Sequence, residues 1–234
     1  MVVRISAKSA YDMEAVMTDL NFFDPGQEYF VVGRGLPHWA QAGVVCFMTY
    51  RTRDSLPAVV VERCLRERED LLRQHGIDPA GNWRAELQRL TPAVRHRVQW
   101  AISERWDNAL DDCHGSCVLK RPELSKIVAG NLRHLDGTDY ELMDFVVMPN
   151  HVHLLVSFDA AEAMLKRAAA WRRYQAREIN KVLGESGHFW QEDGFDHLVR
   201  SPEQFEHYRR YIANNPVKAR LKSDEFVLYS KPLS

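Results

Sequence analysis

The stretch from Leu142 to Phe158, LMDFVVMPNHVHLLVSF, constrains this chain more than any other. Two apolar runs, Phe145 to Met148 and Val152 to Val156, flank a Pro149-Asn150 pair. That is the pattern of two strands with a breaker between them. The second strand opens with His151-Val152-His153. Side chains alternate faces along a strand, so residues two apart share a face, with Cα atoms about 6.5–7 Å apart. His151 and His153 can therefore grip one ion while Val152 turns to the opposite face, into the core. Neutral imidazole is the commonest protein metal ligand near neutral pH, which makes the pair a metal-site candidate. An H-x-H pair also reads as two polar residues on a solvated strand face; its place straight after a Pro-Asn break, in an apolar hairpin, favours the ion.

The bulk numbers exclude several alternatives. At 234 residues the chain can build one sizeable core, or a core plus an insertion. A net charge of -1 gives no global basic footprint, so a nucleic-acid partner requires locally concentrated positive charge. No apolar run approaches the ~20 residues needed to span a bilayer, and the first residues lack the apolar centre of a signal peptide. The expected location is the cytoplasm. Cys46, Cys64, Cys113 and Cys117 read as reduced thiols; Cys113 and Cys117 with His114 form at most half a zinc site, with no second half in view.

The rest of the chain is organised around the hairpin. Residues 1–27 read as an extension, ending in the Asp24-Pro25-Gly26 turn, and Val44 to Tyr50 as a buried strand. Residues 58–112 change character: helical spacing from Ala58 closes on Gly76, and Trp83 to Leu110 reads as more helix broken near Thr91-Pro92. Its arginines are matched by acids, a salt-bridged surface before it is a nucleic-acid patch. A helix from Pro122 to about His134, a strand from Tyr140 to Met148, the histidine strand, a long helix from Ala160 to Leu183 and a strand from Phe195 to Arg200 follow. Ser201-Pro202-Glu203 then starts a last helix, and residues 223–234 read as a tail. With the insertion set aside this is an α+β chain in the βαββαβ order of a ferredoxin-like antiparallel sandwich, plus a C-terminal helix.

Two further groups carry chemistry. In FEHYRRYIANNPVKARL, Tyr208, Tyr211 and Asn215 are helical neighbours. A phenol has a free pKa of about 10, but a divalent cation favours its deprotonated form and can hold the phosphorus it attacks. Asn215 offers an oxygen ligand, though before Pro216 it also reads as a helix cap, and Tyr211 also reads as core. The helix from Ala160 carries Lys166, Arg167, Arg172, Arg173, Arg177 and Lys181 against the single acid Glu178 in its central part, with Trp171 and Tyr174 between them. Charges with interleaved aromatics suit single-stranded nucleic acid; a solvated amphipathic helix with Trp171 packed inward suits them equally.

MPNHVHLLV resembles the HUH metal-binding motif of single-tyrosine transposases, in the form carried by the REP-associated tyrosine transposases. LPHWAQAGVVCFMTYRTRDSLP, GHFWQEDGFDHLVR and YIANNPVKARL agree with the same group and in the same order, so the resemblance covers residues 34–57 and 115–221. It implies a transposase domain built from residues 28–57 and 113–222, with 58–112 as a helical insertion. It also implies Mg²⁺ or Mn²⁺ on His151 and His153, Tyr211 as nucleophile and Asn215 assisting the metal. The implied reaction cleaves and rejoins single-stranded or hairpin-forming repeat DNA through a 5′-phosphotyrosine link. The basic helix and Lys218 would position the strand, and the group implies a monomer rather than a dimer. Two features depart from it. The insertion is long, and would clamp DNA, hold a partner or cover the sheet; and Arg220 stands where the group commonly has glycine. Tyr174 and Tyr208 rank below Tyr211 because Glu178 and Ile212, not amides, follow them by four. The rival functions are a hairpin-binding protein that does not cut, and a zinc hydrolase taking Asp196 or His197 as third ligand.

Overall fold

The computed structural model describes residues 20–32, 38–192 and 194–232. Most of the expected N-terminal extension, and the start of the 34–57 motif, lie outside them. The described elements are β1 (Phe30–Val32), β2 (His38–Ala40), β3 (Cys46–Arg51), α1 (Ala58–Gln74), α2 (Trp83–Arg89), α3 (Pro92–Asp111), a 3₁₀ turn (Val118–Lys120), α4 (Pro122–Arg133), β4 (Glu141–Val147), β5 (His151–Ser157), α5 (Ala161–Leu183), β6 (Phe195–Leu198), α6 (Pro202–Lys218) and β7 (Val227–Ser230). The helix break falls at Thr91-Pro92 as expected, because proline opens α3 where a missing N–H does no harm.

Five strands form one antiparallel sheet in the order β6-β3-β5-β4-β7. Its first four strands have the ferredoxin-like order, with α4 and α5 as the two crossover helices. Alternation sorts the side chains into two cores. Cys46, Met48, Tyr50, Phe145, Val147, Val152, Leu154 and Val156 meet α4 and α5 on one face. Val45, Phe47, Val146 and Leu155 meet Phe205 and Ile212 of α6 on the other. A bulge between Leu142 and Asp144 adds Met143 to the α6 side and keeps both ends of β4 in phase.

Three stretches differ from the sequence expectation. The tail contains β7, whose alternating exposure fits an edge strand paired to β4. Gly115 to Lys120 contains a 3₁₀ turn rather than an extended piece. The last helix runs through Asn215 and Pro216 to Lys218, so Asn215 is a helical residue and not a cap. Pro216 has no N–H to give to the Ile212 carbonyl, so α6 forgoes one bond just before it ends.

The insertion is tied back at its two ends. Asp54 Oδ2, after β3, accepts from the Ser116 backbone at 2.7 Å and from its hydroxyl at 2.6 Å. Gly115 makes that approach possible: its φ is +86°, and a Cβ there would sit 2.5 Å from the Asp54 carbonyl oxygen. Within the insertion, α1 packs on α3 through Val60, Cys64, Ala109 and Leu110. The end of α3 is thereby brought beside β5.

Candidate active site

The α6 face of the sheet carries the two histidines at the centre of the molecule. Both are fully buried, and their ring centroids are 4.6 Å apart. Strand pairing sets their neighbours: Thr49 of β3 lies opposite His153 and Arg51 opposite His151. Thr49 Oγ1 is 2.7 Å from His153 Nδ1, and Asn150 Oδ1 is 2.7 Å from His151 Nδ1. Asn150 is itself pinned, its amide donating to the His114 carbonyl at 3.0 Å. The Asn150 oxygen can only accept, so His151 carries its proton on Nδ1 and turns the Nε2 lone pair into the site; the Thr49 hydroxyl, accepting from His153 Nδ1, would leave that ring's Nε2 to accept in the same way.

Burial governs the charge state. It lowers the pKa of His151 to about 3 against a small opposing effect of Asn215. It lowers that of His153 well below the usual imidazole range, helped by His151 and Lys218. Both rings are neutral near neutral pH, the form a cation binds.

Helix α6 lays Tyr211 across this pair. Its hydroxyl is 3.4 Å from His153 Nε2, with ring centroids 5.1 Å apart. Burial pushes the phenol pKa up, and the nearby Asp107 and Asp111 carboxylates push it further. Without added positive charge, Tyr211 stays protonated. Tyr208 is instead stacked on Phe47, centroids 4.2 Å apart, and Tyr174 is exposed on α5, across the sheet. Of these three tyrosines, Tyr211 is the one whose hydroxyl lies within hydrogen-bonding distance of the histidine pair.

Asn215 is 1% exposed, and neither its amide nitrogen nor its amide oxygen completes a hydrogen bond. It lies close enough to bear on the ionisation of Asp111, His151 and Tyr211. His151 Nε2 is likewise buried with no partner. Unpaired buried acceptors beside neutral imidazoles are costly unless a cation satisfies them, so these residues fit a divalent ion. Among the described residues, no three His, Cys, Asp or Glu side chains already converge as a cage.

Helix α3 brings residues that sequence reasoning missed. Asp111 Oδ1 is 3.9 Å from His151 Nε2, and its other oxygen is 2.8 Å from Lys218 Nζ. Lys218 also donates to Asn108 Oδ1 at 2.5 Å. Asp107 lies within hydrogen-bonding influence of the Tyr211 hydroxyl; burial and the Asp111 charge raise its pKa to about 7, against the pull of Lys218 and Tyr211. No local pattern marks these acids, since they sit in a charge-balanced helix far from the motif in sequence. Thr49 and Asn150 were legible only as a strand residue and a breaker.

The expected DNA-binding residues divide. Lys218 sits at the site, paired with Asp111. Lys166, Arg167, Arg172, Arg173, Arg177 and Lys181 lie on α5, on the sheet face opposite the histidines. Trp171 packs inward, Arg167 pairs with Asp139, Arg172 donates to the Glu192 carbonyl at 2.6 Å, and Arg177 pairs with Glu178. Strand alternation puts Asp196, opposite Met48, on that same far face, while His197, opposite Phe47, contacts Gln204 at 3.1 Å. Neither completes a zinc site with the histidine pair. Cys117 Sγ donates to the Cys113 carbonyl at 2.8 Å, and both cysteines adopt positive φ in the loop after α3.

Residues 121–215 match the family described as "Transposase IS200 like", a range that includes both histidines, Tyr211 and Asn215. The match leaves out β3 and the helices between β3 and α4. Among solved structures the chain is similar to one described as the REP-associated tyrosine transposase bound to a REP hairpin. That likeness has 14% identity and a TM-score of 0.35, over 80% of this chain and 74% of that one. No curated protein matches the chain. Among the described residues, no helix is long and apolar enough to cross a membrane.

Proposed function

We propose that this protein is a metal-dependent single-tyrosine transposase that cleaves and rejoins single-stranded or hairpin-forming repeat DNA. The observation that carries the reading is the contact of the Tyr211 hydroxyl with His153 Nε2 on one face of the sheet. His151, His153 and the Asn215 side chain would hold Mg²⁺ or Mn²⁺. Such an ion supplies Lewis-acid polarisation of a phosphodiester and favours the phenolate.

The chain's own residues do the rest. The Tyr211 oxygen attacks the phosphorus, forming an O–P bond as the bond from phosphorus to the 3′ oxygen breaks. The proton lost by the phenol is balanced by the one gained by the departing 3′-hydroxyl, with Asp107 placed to hold it between. A 5′-phosphotyrosine and a free 3′-hydroxyl result, and attack by a 3′-hydroxyl reverses the reaction at the same or a new end. One phosphodiester replaces another of similar energy, so no nucleotide cofactor is required. The hairpin substrate rests on the resemblance of the four motifs to REP-associated enzymes. Exposed Lys166, Arg173, Arg177 and Lys181 would contact phosphates remote from the cleaved one and hold the strand without reading it.

Labelled single-stranded hairpin DNA incubated with the protein and Mg²⁺ or Mn²⁺ should give a covalent adduct that survives denaturing electrophoresis. Tyr211→Phe should abolish it while still binding the hairpin. An adduct formed by Tyr211→Phe would overturn the assignment. Binding by the unaltered protein without cleavage would favour the reading of a hairpin-holding protein.

A further inference from the structure

We infer that Asp111, delivered by the helical insertion, is an additional oxygen ligand of the ion at His151 and His153. The inference rests on the metal-centre reading above and adds a residue lying outside the stretch matched to the IS200-like family.

Hydrogen-bond polarity at His151 carries the argument. Its Nδ1 faces Asn150 Oδ1, whose amide nitrogen is already spent on the His114 carbonyl, so the ring proton belongs on Nδ1. Nε2 then carries a lone pair, and 3.9 Å away is Asp111 Oδ1, also an acceptor. His151 is fully buried, Asp111 is 9% exposed, and neither facing atom has a hydrogen-bond partner. Two acceptors held face to face in a low-dielectric setting repel unless something positive lies between them. Ligand atoms about 2.1 Å from a shared ion stand roughly 3–4 Å apart, so the gap has the width of one cation. The amide of Asn215, buried and unpaired, borders the same space.

Lys218 explains why the three side chains do not close as a cage on their own. Its ammonium holds the outer oxygen of Asp111 at 2.8 Å and is itself fixed by Asn108 Oδ1. The carboxylate is thus oriented, one oxygen on Lys218 and one toward His151. Lys218 is a positioning residue for Asp111. A carboxylate oxygen also biases the site toward hard ions such as Mg²⁺ and Mn²⁺ over a softer imidazole-only set.

Mn²⁺ binding to the full chain, followed by calorimetry and by electron paramagnetic resonance of the free ion, tests this without reference to cleavage. The unaltered protein should bind Mn²⁺, and His153→Ala should lose it. Asp111→Asn should weaken binding at least tenfold, whereas Asp112→Asn, one residue on and solvent-facing, should leave it unchanged. Asp111→His gives an opposite readout: a third imidazole at the gap should tighten Zn²⁺ binding at least tenfold. If Asp111→Asn binds Mn²⁺ as the unaltered protein does, or Asp111→His gains nothing for Zn²⁺, Asp111 is not a ligand, while loss in His153→Ala keeps the metal centre. If no variant differs from an unaltered protein that binds no Mn²⁺, the metal centre itself is rejected, and this ligand with it.

Discussion

Tyr211 and His153 stand 58 residues apart in the chain and 3.4 Å apart in the fold, hydroxyl to ring nitrogen. One is carried by the last helix and the other by the central strand, so the site depends on how firmly α6 is seated and on how each ring is aimed.

Aim is the work of Thr49. Its hydroxyl is the partner of His153 Nδ1, and Thr49→Val keeps the size and strand preference of the side chain while removing that oxygen. Loss of such a partner typically costs 10–100-fold in metal affinity or activity. Thr49→Val should therefore slow adduct formation by roughly that factor with little change in melting temperature. A variant as active as the unaltered protein would show that the ring is oriented by packing alone.

Seating depends on a buried ion pair. Arg209 Nε is 2.9 Å from Asp144 Oδ2, Asp144 is 3% exposed, and Ser230 of β7 also donates to it. The cluster joins α6, β4 and β7. Removing one member leaves the other charge buried and uncompensated, a loss of about 3–5 kcal/mol. Arg209→Ala should thus destabilise the protein by about 3 kcal/mol in denaturant unfolding, whereas Arg209→Ala combined with Asp144→Ala should recover part of the loss. Equal losses in the single and double variants would deny the coupling.

Arg220 offers the reverse. The Leu221 N–H bonds to the Pro216 carbonyl and the Arg220 N–H to the Val217 carbonyl, a Schellman ending of α6 that puts Arg220 at φ +55°. A left-handed conformation costs a non-glycine residue roughly 1–2 kcal/mol. Arg220→Gly should stabilise the chain by about 1 kcal/mol, raising the melting temperature by roughly 2–4 °C. A fall would mean that the arginine side chain makes contacts worth more than the strain.

The pH dependence should report Asp107. Its pKa is raised from the ordinary carboxylate range to about 7 in the fold, by burial first and the Asp111 charge second. Between those values the folded protein binds a proton that the unfolded chain has lost. In the metal-free protein this contribution is present at low pH, declines as pH rises toward about 7, and is flat above. Asp107→Asn should therefore stabilise the protein more at pH 8 than at pH 5, by chemical denaturation in chelator. The same difference at both values would rule out a raised pKa.

The legible parts of the fold are those encoded by short periods. Alternation from His151 to Val156 gave the histidines one face and Val152 the other, and Val152 is indeed in the α4 and α5 core. Helical spacing, a proline break and a closing glycine located α1 to α3 and α5, because capping and periodicity are local. What escaped is set by distant contacts. A cluster of lysines and arginines marks a helix as basic but not which sheet face it covers, and α5 covers the one away from Tyr211. Asp107 and Asp111 are ordinary helix-surface acids in sequence; they matter only because α1 packs beneath α3 and turns them onto β5. The three-residue strands β1 and β2 are too short for alternation to declare itself.

Strand β7 has a bearing on how copies of this protein can meet. By pairing with β4 it occupies one lateral margin of the sheet, and β2, from the small N-terminal hairpin, lies against β6 at the other. A second molecule that extended the sheet at this end would have to pair with β7, the outermost strand there, and not with β4, which carries Asp144.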